Sequence, residues 1–414
     1  MPAKKRKSKT KPSARGKLGV WIIGMGGGLA TTVIAGTQLV AKGLVPATGI
    51  MTETEALSGF GFAALDDLVF GGHDVRPVDL YESAYEIYRE TSTIPLEPLQ
   101  EIRSELEVFQ ANLRLGTVVN CGDAISKIAS RKAKTHSKQL TLAEQLKAIK
   151  ADLKDFQSRE GLRDVIVVNV ASTEPPLELD KRHATPAGLK RLIAADDRKA
   201  LRASSLYAWA AIESGYAYLN FAPSNAGLTP AHLKLALKKG VPVMGNDGKT
   251  GETLVKSALA PMFKHRNLKV ETWQGYNILG DRDGEVLADD ANKKAKISTK
   301  DGLLEQILGY PLHTHVAIDY VPSLNDLKTA WDFIHFSGFL NYKMSLQFTW
   351  QGCDAILAAP LVLDMVRLAD FAKGRGEAGL MPQLACYFKN PLGVDEHDLH
   401  RQYDKLAEYL DQRR

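Results

Sequence analysis

Hydrophobic positions along the chain fall into short β-branched runs, each stopped by a glycine or a polar turn: Val20–Ile23, Leu68–Phe70, Val165–Val170, Tyr218–Phe221 and Val241–Met244. Between them apolar residues recur at helical spacing, as in Leu99–Leu113 and Leu201–Ser214. Strand and helix in alternation predict a parallel sheet covered on both faces, with ligands bound at the carboxyl ends of its strands. The segment Ser130–Phe156 is charged, with Leu142, Leu146, Ile149 and Leu153 along one side, and reads as a surface hairpin or insertion.

From about Gly251 the pattern changes. Val270–Tyr276, Val316–Val321 and Met344–Trp350 read as longer strands. The last alternates, with Met344, Leu346, Phe348 and Trp350 on one face and Ser345, Gln347 and Thr349 on the other. Helices are predicted at Thr253–Phe263, Gly302–Leu308 and Leu327–Phe336, before a longer helix over Cys353–Lys373. This is an α+β section inserted into an α/β chain, without internal repeats.

At 414 residues, 44% of them hydrophobic, the chain can bury a sizeable core without disulfides or structural metal. Its three cysteines, Cys121, Cys353 and Cys386, are too widely spaced for a metal knuckle and fit a reducing compartment. No apolar run reaches the roughly 18 residues of a membrane span. Val20–Ile23 opens into glycines too soon for a signal-peptide core, so the expected location is cytoplasmic. The net charge of +5 is concentrated in residues 1–17, where eight Lys and Arg residues, from Lys4 to Lys17, occur without an acid. Such a block is expected to be disordered. It is a solubilising tail or an anion-binding arm, and nucleic acid is conceivable as a partner only through it, because the remainder is close to neutral.

The run Val20-Trp-Ile-Ile-Gly24-Met-Gly26-Gly27-Gly28-Leu-Ala30 has the order strand, glycine turn, helix start, in which backbone N–H groups can receive a pyrophosphate. It is not a clean GxGxxG. The ribose-binding acid expected about 20 residues on is ambiguous, since Glu53 and Glu55 lie in an irregular segment. Asp74, closing Leu68-Val-Phe-Gly-Gly-His-Asp, is the better choice and would favour NAD over NADP. Gly245-Asn-Asp-Gly-Lys249-Thr250 imitates half a P-loop but has Val243 where the first glycine belongs, which excludes an NTPase loop.

Lysines gather near turns and strand ends of the second half: Lys249, Lys256, Lys296, Lys300, Lys328 and Lys389. Their contexts, GNDGKTGETLVKSAL (245–259), YNILGDRDG (276–284), NDLKTAWDF (325–333), AAPLVLDMV (358–366) and YFKNPLG (387–393), resemble the inositol-3-phosphate synthase family in its shorter prokaryotic form. VVNVASTE (167–174) and NFAPSN (220–225) fit the same family. The resemblance implies a Rossmann-type NAD-binding domain with an inserted α+β catalytic and tetramerisation domain. Its expected boundaries are a tail over 1–17, the first cofactor part over 18–250, the inserted domain over 251–356, and a return to the cofactor domain over 357–414. It further implies a homotetramer that converts D-glucose 6-phosphate to 1D-myo-inositol 3-phosphate, with NAD reduced and reoxidised within one turnover.

By the same resemblance the catalytic residues are Lys296, Lys300, Lys328, Lys389, Asp247 and Asp283. The cofactor side falls to Gly24, Gly26, Gly27, Gly28, Asp74, Ala171, Asp247, Thr250, Asp283, Lys296 and Asp326. Lys296 is expected to move the C5 hydroxyl proton, with Asp247 and Asp283 orienting it. Lys300 is expected on the phosphate, and Lys328 and Lys389 on the C5 and C1 oxyanions. Ammonium groups suit this chemistry because enolisation and aldol closure both build negative charge on carbonyl oxygens. Asp281-Arg282 and Gly28-Leu29 depart from the asparagines of eukaryotic members. Some members use a divalent metal or a monovalent cation, which the sequence leaves open.

His313 and His315 share a strand face, but no third ligand lies at metal spacing, so they read as ordinary strand histidines. Cys353 and Cys386 read as small packing residues. Two other readings stand beside the cyclase: an NAD-dependent sugar-phosphate dehydrogenase that releases NADH, and an NAD-binding regulator whose basic tail contacts nucleic acid.

Overall fold

The computed structural model describes residues 16–280, 303–325 and 327–414. Seven parallel strands form the larger sheet: β1 (Leu18–Ile23), β2 (Leu68–Asp74), β3 (Leu113–Leu115), β4 (Asp164–Asn169), β5 (Ala217–Asn220), β6 (Pro242–Gly245) and β11 (Gly379–Leu380). Their order is β11-β6-β5-β4-β1-β2-β3, so the chain reverses direction across the sheet between β1 and β4. Every residue of β1 and β2 is buried, because helices cover both faces. The reversal opens a crevice at the carboxyl ends of β1 and β4, the place where parallel α/β sheets take ligands.

A second sheet, ordered β10-β9-β7-β8, is built from β7 (Lys269–Leu279), β8 (His313–Tyr320), β9 (Lys328–Ser337) and β10 (Lys343–Gly352). Helix Gly251–His265 and the helical residues 303–308 pack on one face around Phe263, Trp273, Leu304 and Ile334. The chain then re-enters the first layer through helix Asp354–Lys373 and ends in helix Leu399–Asp411.

Three sequence expectations are corrected. The helix expected at Leu327–Phe336 is instead strand β9 (Lys328–Ser337): burial alternates along it, with Ala330, Asp332 and Ile334 inside and Trp331 on the outer face. Leu99–Leu113 is divided into helices Leu96–Gln100 and Arg103–Gln110, because Ile102 leaves helical geometry, and Leu113 starts β3. Ser130–Phe156 is no surface insertion. Helix Leu142–Arg159 starts at a Thr141/Glu144 capping box and lays Leu142, Ile149, Leu153 and Phe156 against the first sheet, as the crossover from β3 to β4. Its charged residues lie on the solvent side of an amphipathic helix.

Candidate active site

A cleft of about 1210 Å³ follows the carboxyl ends of the larger sheet and is closed on its far side by the first turn of helix Gly251–His265 and the ends of β7 and β9. At one end lies the glycine turn. Gly24 has φ +87°, and a Cβ there would stand 2.9 Å from the Ala171 Cα, so the position requires glycine on both counts. The Gly24 and Met25 N–H groups both donate to the His73 carbonyl (2.8 and 3.1 Å), which ties the turn to β2. Helix Gly28–Ala41 starts at Gly27 without a side-chain cap, and Gly28 has open space above it. An uncapped helix start facing a cleft fits the pyrophosphate of a dinucleotide.

Asp74 ends β2 beside this turn. Its Oδ2 accepts from the Gly26 N–H (2.9 Å) and its Oδ1 from the Arg76 N–H (2.8 Å), while the Arg76 guanidinium donates to the Gly26 carbonyl (2.8 Å). The carboxylate therefore holds the turn in shape, and each oxygen keeps a second lone pair for a ribose hydroxyl. Arg76 was not anticipated; its signal was a cation two residues beyond the acid in the same strand-to-helix turn. Ala171, across from Gly24, donates its N–H to Asn169 Oδ1 (3.2 Å).

Toward the middle of the cleft the turn Gly245–Lys249 meets the returning chain. Asp247 has φ +64°, a left-handed conformation held by its neighbours. Its N–H donates to Ala222 O (3.2 Å) and its carbonyl accepts from Lys389 N–H (2.7 Å). Asn246 and Asn390 exchange two main-chain hydrogen bonds (2.7 and 3.2 Å). Gly248 lies on the Phe221 ring, where a Cβ would overlap it. The Lys389 ammonium reaches Asp247 Oδ1 at 3.0 Å. Asp247 Oδ2 is buried without a hydrogen-bond partner among the described residues, as expected of an acceptor facing a ligand.

Lys328, at the start of β9, pairs with Asp354 at 3.3 Å. Its Nζ would lie 3.2 Å from a Cβ on Gly251, so the ammonium stands beside the first turn of helix Gly251–His265. That helix is entered through Thr250, which provides no side-chain cap. Asn277 on β7 donates to Glu252 Oε2 (2.7 Å), and Glu252 pairs with the buried Lys256 at 2.5 Å. Asp354, Glu252 and Asn277 also line the cleft and were missed from sequence. Asp354 and Asn277 meet their partners on other elements, and the one local sign at Glu252 is Lys256 four residues on in the same helix. Lys249 points elsewhere: its amine is buried on Gln402 Oε1 (2.5 Å) and burial pushes its pKa down to about 8. Buried Glu174, which accepts from the Ser204 N–H and hydroxyl (3.1 and 2.5 Å), has its pKa raised by burial.

The cleft thus brings together Gly24, Gly26, Gly27, Gly28, Asp74, Ala171, Asp247, Thr250, Lys328 and Lys389. Asp283, Lys296, Lys300 and Asp326 lie outside the described residues. Among the described residues, no group of three His, Cys, Asp or Glu side chains is placed to hold a metal ion. His313 Nδ1 is instead within 3.1 Å of Gln274 Nε2, and the His315 ring lies by Tyr276.

Residues 18–411 match the family model described as myo-inositol-1-phosphate synthase, which carries an NAD-binding designation. The chain is 34% identical to inositol-3-phosphate synthase 1 of Bacteroides thetaiotaomicron over 427 aligned residues, 98% of this chain and 97% of the relative. It is 31% identical to inositol-3-phosphate synthase 1 of Rattus norvegicus over 75% of this chain and 55% of that one. Among solved structures, inositol-3-phosphate synthase from Caenorhabditis elegans superposes with a TM-score of 0.84 at 22% identity, covering 97% of this chain and 86% of that one. A myo-inositol-1-phosphate synthase-related protein from Thermotoga maritima gives 0.76 at 23%, over 95% and 98%. These two share the fold. With a near full-length family match and a near full-length relative, this chain belongs to the myo-inositol-1-phosphate synthase family.

Proposed function

We propose that the protein is an inositol-3-phosphate synthase, converting D-glucose 6-phosphate to 1D-myo-inositol 3-phosphate. The observation that carries the reading is that two lysine–aspartate pairs, Lys389–Asp247 and Lys328–Asp354, line the same cleft as an uncapped, glycine-built helix start. NAD, when bound, supplies a hydride acceptor that becomes the donor within the same turnover. Residues 24–28, Asp74 and Ala171 would hold it, with Asp247 Oδ2 and Thr250 toward its reactive end.

The protein's own groups then act on the sugar. Lys389 and Lys328 aim ammonium groups at oxygens that gain charge during enolisation and ring closure. Asp247 and Asp354 orient those amines. The N–H groups opening helix Gly251–His265, beside Lys328, suit an anionic substrate group. Lys296, Lys300 and Asp283 complete the set as proton carrier, phosphate ligand and orienting acid. In this division of labour residues 18–250 and 357–414 hold the cofactor, with Lys389 brought by the second of these segments, and 251–356 bring Lys296, Lys300 and Lys328 and make subunit contacts.

A homotetramer is part of the proposal, supported by an aromatic row on the second sheet, exposed Tyr276 and Trp331 with half-buried Phe333, at successive centroid separations of 5.5 and 6.4 Å. A cytoplasmic location is supported by three free cysteines. Among the described residues no helix is long and apolar enough to cross a membrane.

Purified protein incubated with glucose 6-phosphate and NAD is expected to give inositol 3-phosphate by phosphorus NMR, without build-up of NADH absorbance. Stoichiometric NADH would instead identify a sugar-phosphate dehydrogenase. Light scattering should return four times the 45.3 kDa chain mass.

A further inference from the structure

Three asparagines close three adjacent strand ends of the larger sheet, those of β4, β5 and β6. Asn169 is the last residue of β4, Asn220 the last of β5, and Asn246 follows the last of β6. Asn169 and Asn220 are register partners, as are Asn220 and Gly245. All three side chains are buried, at 2%, 0% and 9% exposure, in a place where apolar residues would pack without any polar cost.

They form one directional chain of amides. The Ala171 N–H donates to Asn169 Oδ1 (3.2 Å), Asn169 Nδ2 to Asn220 Oδ1 (2.8 Å), and Asn220 Nδ2 to Asn246 Oδ1 (2.6 Å). The second hydrogen of Asn220 Nδ2 goes to the Ser224 carbonyl (2.9 Å). The orientations are not interchangeable. A backbone N–H can only donate and a carbonyl only accept, so Ala171 fixes the oxygen of Asn169 and Ser224 fixes the nitrogen of Asn220. Gly227 packs against the Asn220 amide so closely that a Cβ there would come within 3.0 Å of its three terminal atoms.

The two ends of this chain lie at different parts of the site. Ala171 packs on Gly24 of the dinucleotide turn. Asn246 is bonded through its main chain to Asn390, and the adjacent residues are Asp247 and Lys389. We infer that Asn220 is a positioning residue, whose amide sets the Ala171 segment and the Asp247–Lys389 pair at a fixed offset across the strand ends. It touches neither cofactor nor substrate and acts through Asn169 on one side and Asn246 on the other. The inference rests on the cyclase reading for its catalytic half and on cofactor binding alone for the other half.

The test measures NAD dissociation constants by fluorescence titration and kcat at saturating NAD, on variants whose folding is checked by circular dichroism. Asn220→Ala is expected to weaken NAD and to lower kcat, each by about tenfold, as for lost buried hydrogen bonds. Asn169→Ala should weaken NAD with little change in kcat, and Asn246→Ala should lower kcat with little change in NAD affinity. Adding either to Asn220→Ala should cost less than it does in the parent. A merely structural role predicts loss of thermal stability in all three, without that split. A folded Asn220→Ala variant that binds NAD as the parent does overturns the inference, as do end variants that change both constants alike. If Asn220→Ala does not fold, the two end variants decide. A parent that binds NAD but makes no inositol phosphate refutes the cyclase reading and leaves the NAD half of the test intact.

Discussion

In the seven-stranded sheet every residue of β1 and β2 is buried, whereas β10 of the four-stranded sheet alternates half-buried and exposed residues along its whole length. The first sheet is parallel, so its crossovers place helices on both faces and leave no side for water. The second is mostly antiparallel, made by direct strand pairing, and among the described residues helices pack on one of its faces. The contrast separates two duties. Stability is concentrated around the first sheet, and the second can present an aromatic face and a row of strand ends at modest cost to the fold.

The largest expected effect tests where the stability lies. Phe156 is fully buried with its ring 5.0 Å from Trp21. Phe156→Ala should lose about 3–5 kcal/mol in urea unfolding. A loss below about 1 kcal/mol would mean that the first sheet is not the stabilising unit. Next comes Lys389→Ala, which should lower kcat by about a hundredfold to a thousandfold, as for removal of one oxyanion donor, with NAD binding retained in titrations. Near-normal turnover would remove Lys389 from the chemistry.

A pH dependence distinguishes the two regions further. His232 is buried under the first sheet, and burial holds its pKa at about 4 instead of 6.5. Between these values the unfolded chain takes up a proton that the folded chain refuses. Stability is therefore intact above pH 6.5 and falls as the pH drops toward 4, by up to about 3 kcal/mol. His232→Gln should flatten that limb of the stability profile; an unchanged limb would show that His232 is not responsible. The smallest effect belongs to the second sheet. Trp331→Ser should change monomer stability by less than about 0.5 kcal/mol while weakening subunit association in light scattering. A Trp331→Ser loss as large as that of Phe156→Ala would erase the contrast between the sheets.

The same contrast governs what was legible in the sequence. Continuous β-branched runs such as Val165–Val168 marked five of the seven parallel strands, because burial on both faces leaves few polar positions to confuse the period, while the short β3 and β11 went unread. β9 was misread as a helix. Its inner face carries the buried Asp332, which accepts from the Trp273 indole (2.7 Å), and its outer face carries Trp331, so polarity no longer reports the side a residue faces. Helix Leu142–Arg159 was found but misplaced, since charge on its solvent side says nothing of what its apolar side meets. In the cleft, the glycine turn and Asp74 were legible from local order. Lys328, Lys389 and Asp247 were reached through family motifs. Arg76 had a local signal, two residues beyond Asp74, that was not used, whereas Asp354 and the Glu252–Asn277 pair depend on contacts between distant segments, for which a single chain gives no spacing rule.

The turn at Asp247 is braced by a segment that follows it by 142 residues, through the carbonyls of Tyr387 and Asn390 and the N–H groups of Lys389 and Asn390. During synthesis, strands β1 to β6 can pair long before that segment leaves the ribosome. Until it arrives, the Asp247 loop lacks its braces and its lysine. The glycine turn and the Asp247 turn therefore become one complete site only when the last part of the chain has folded back onto the strand ends.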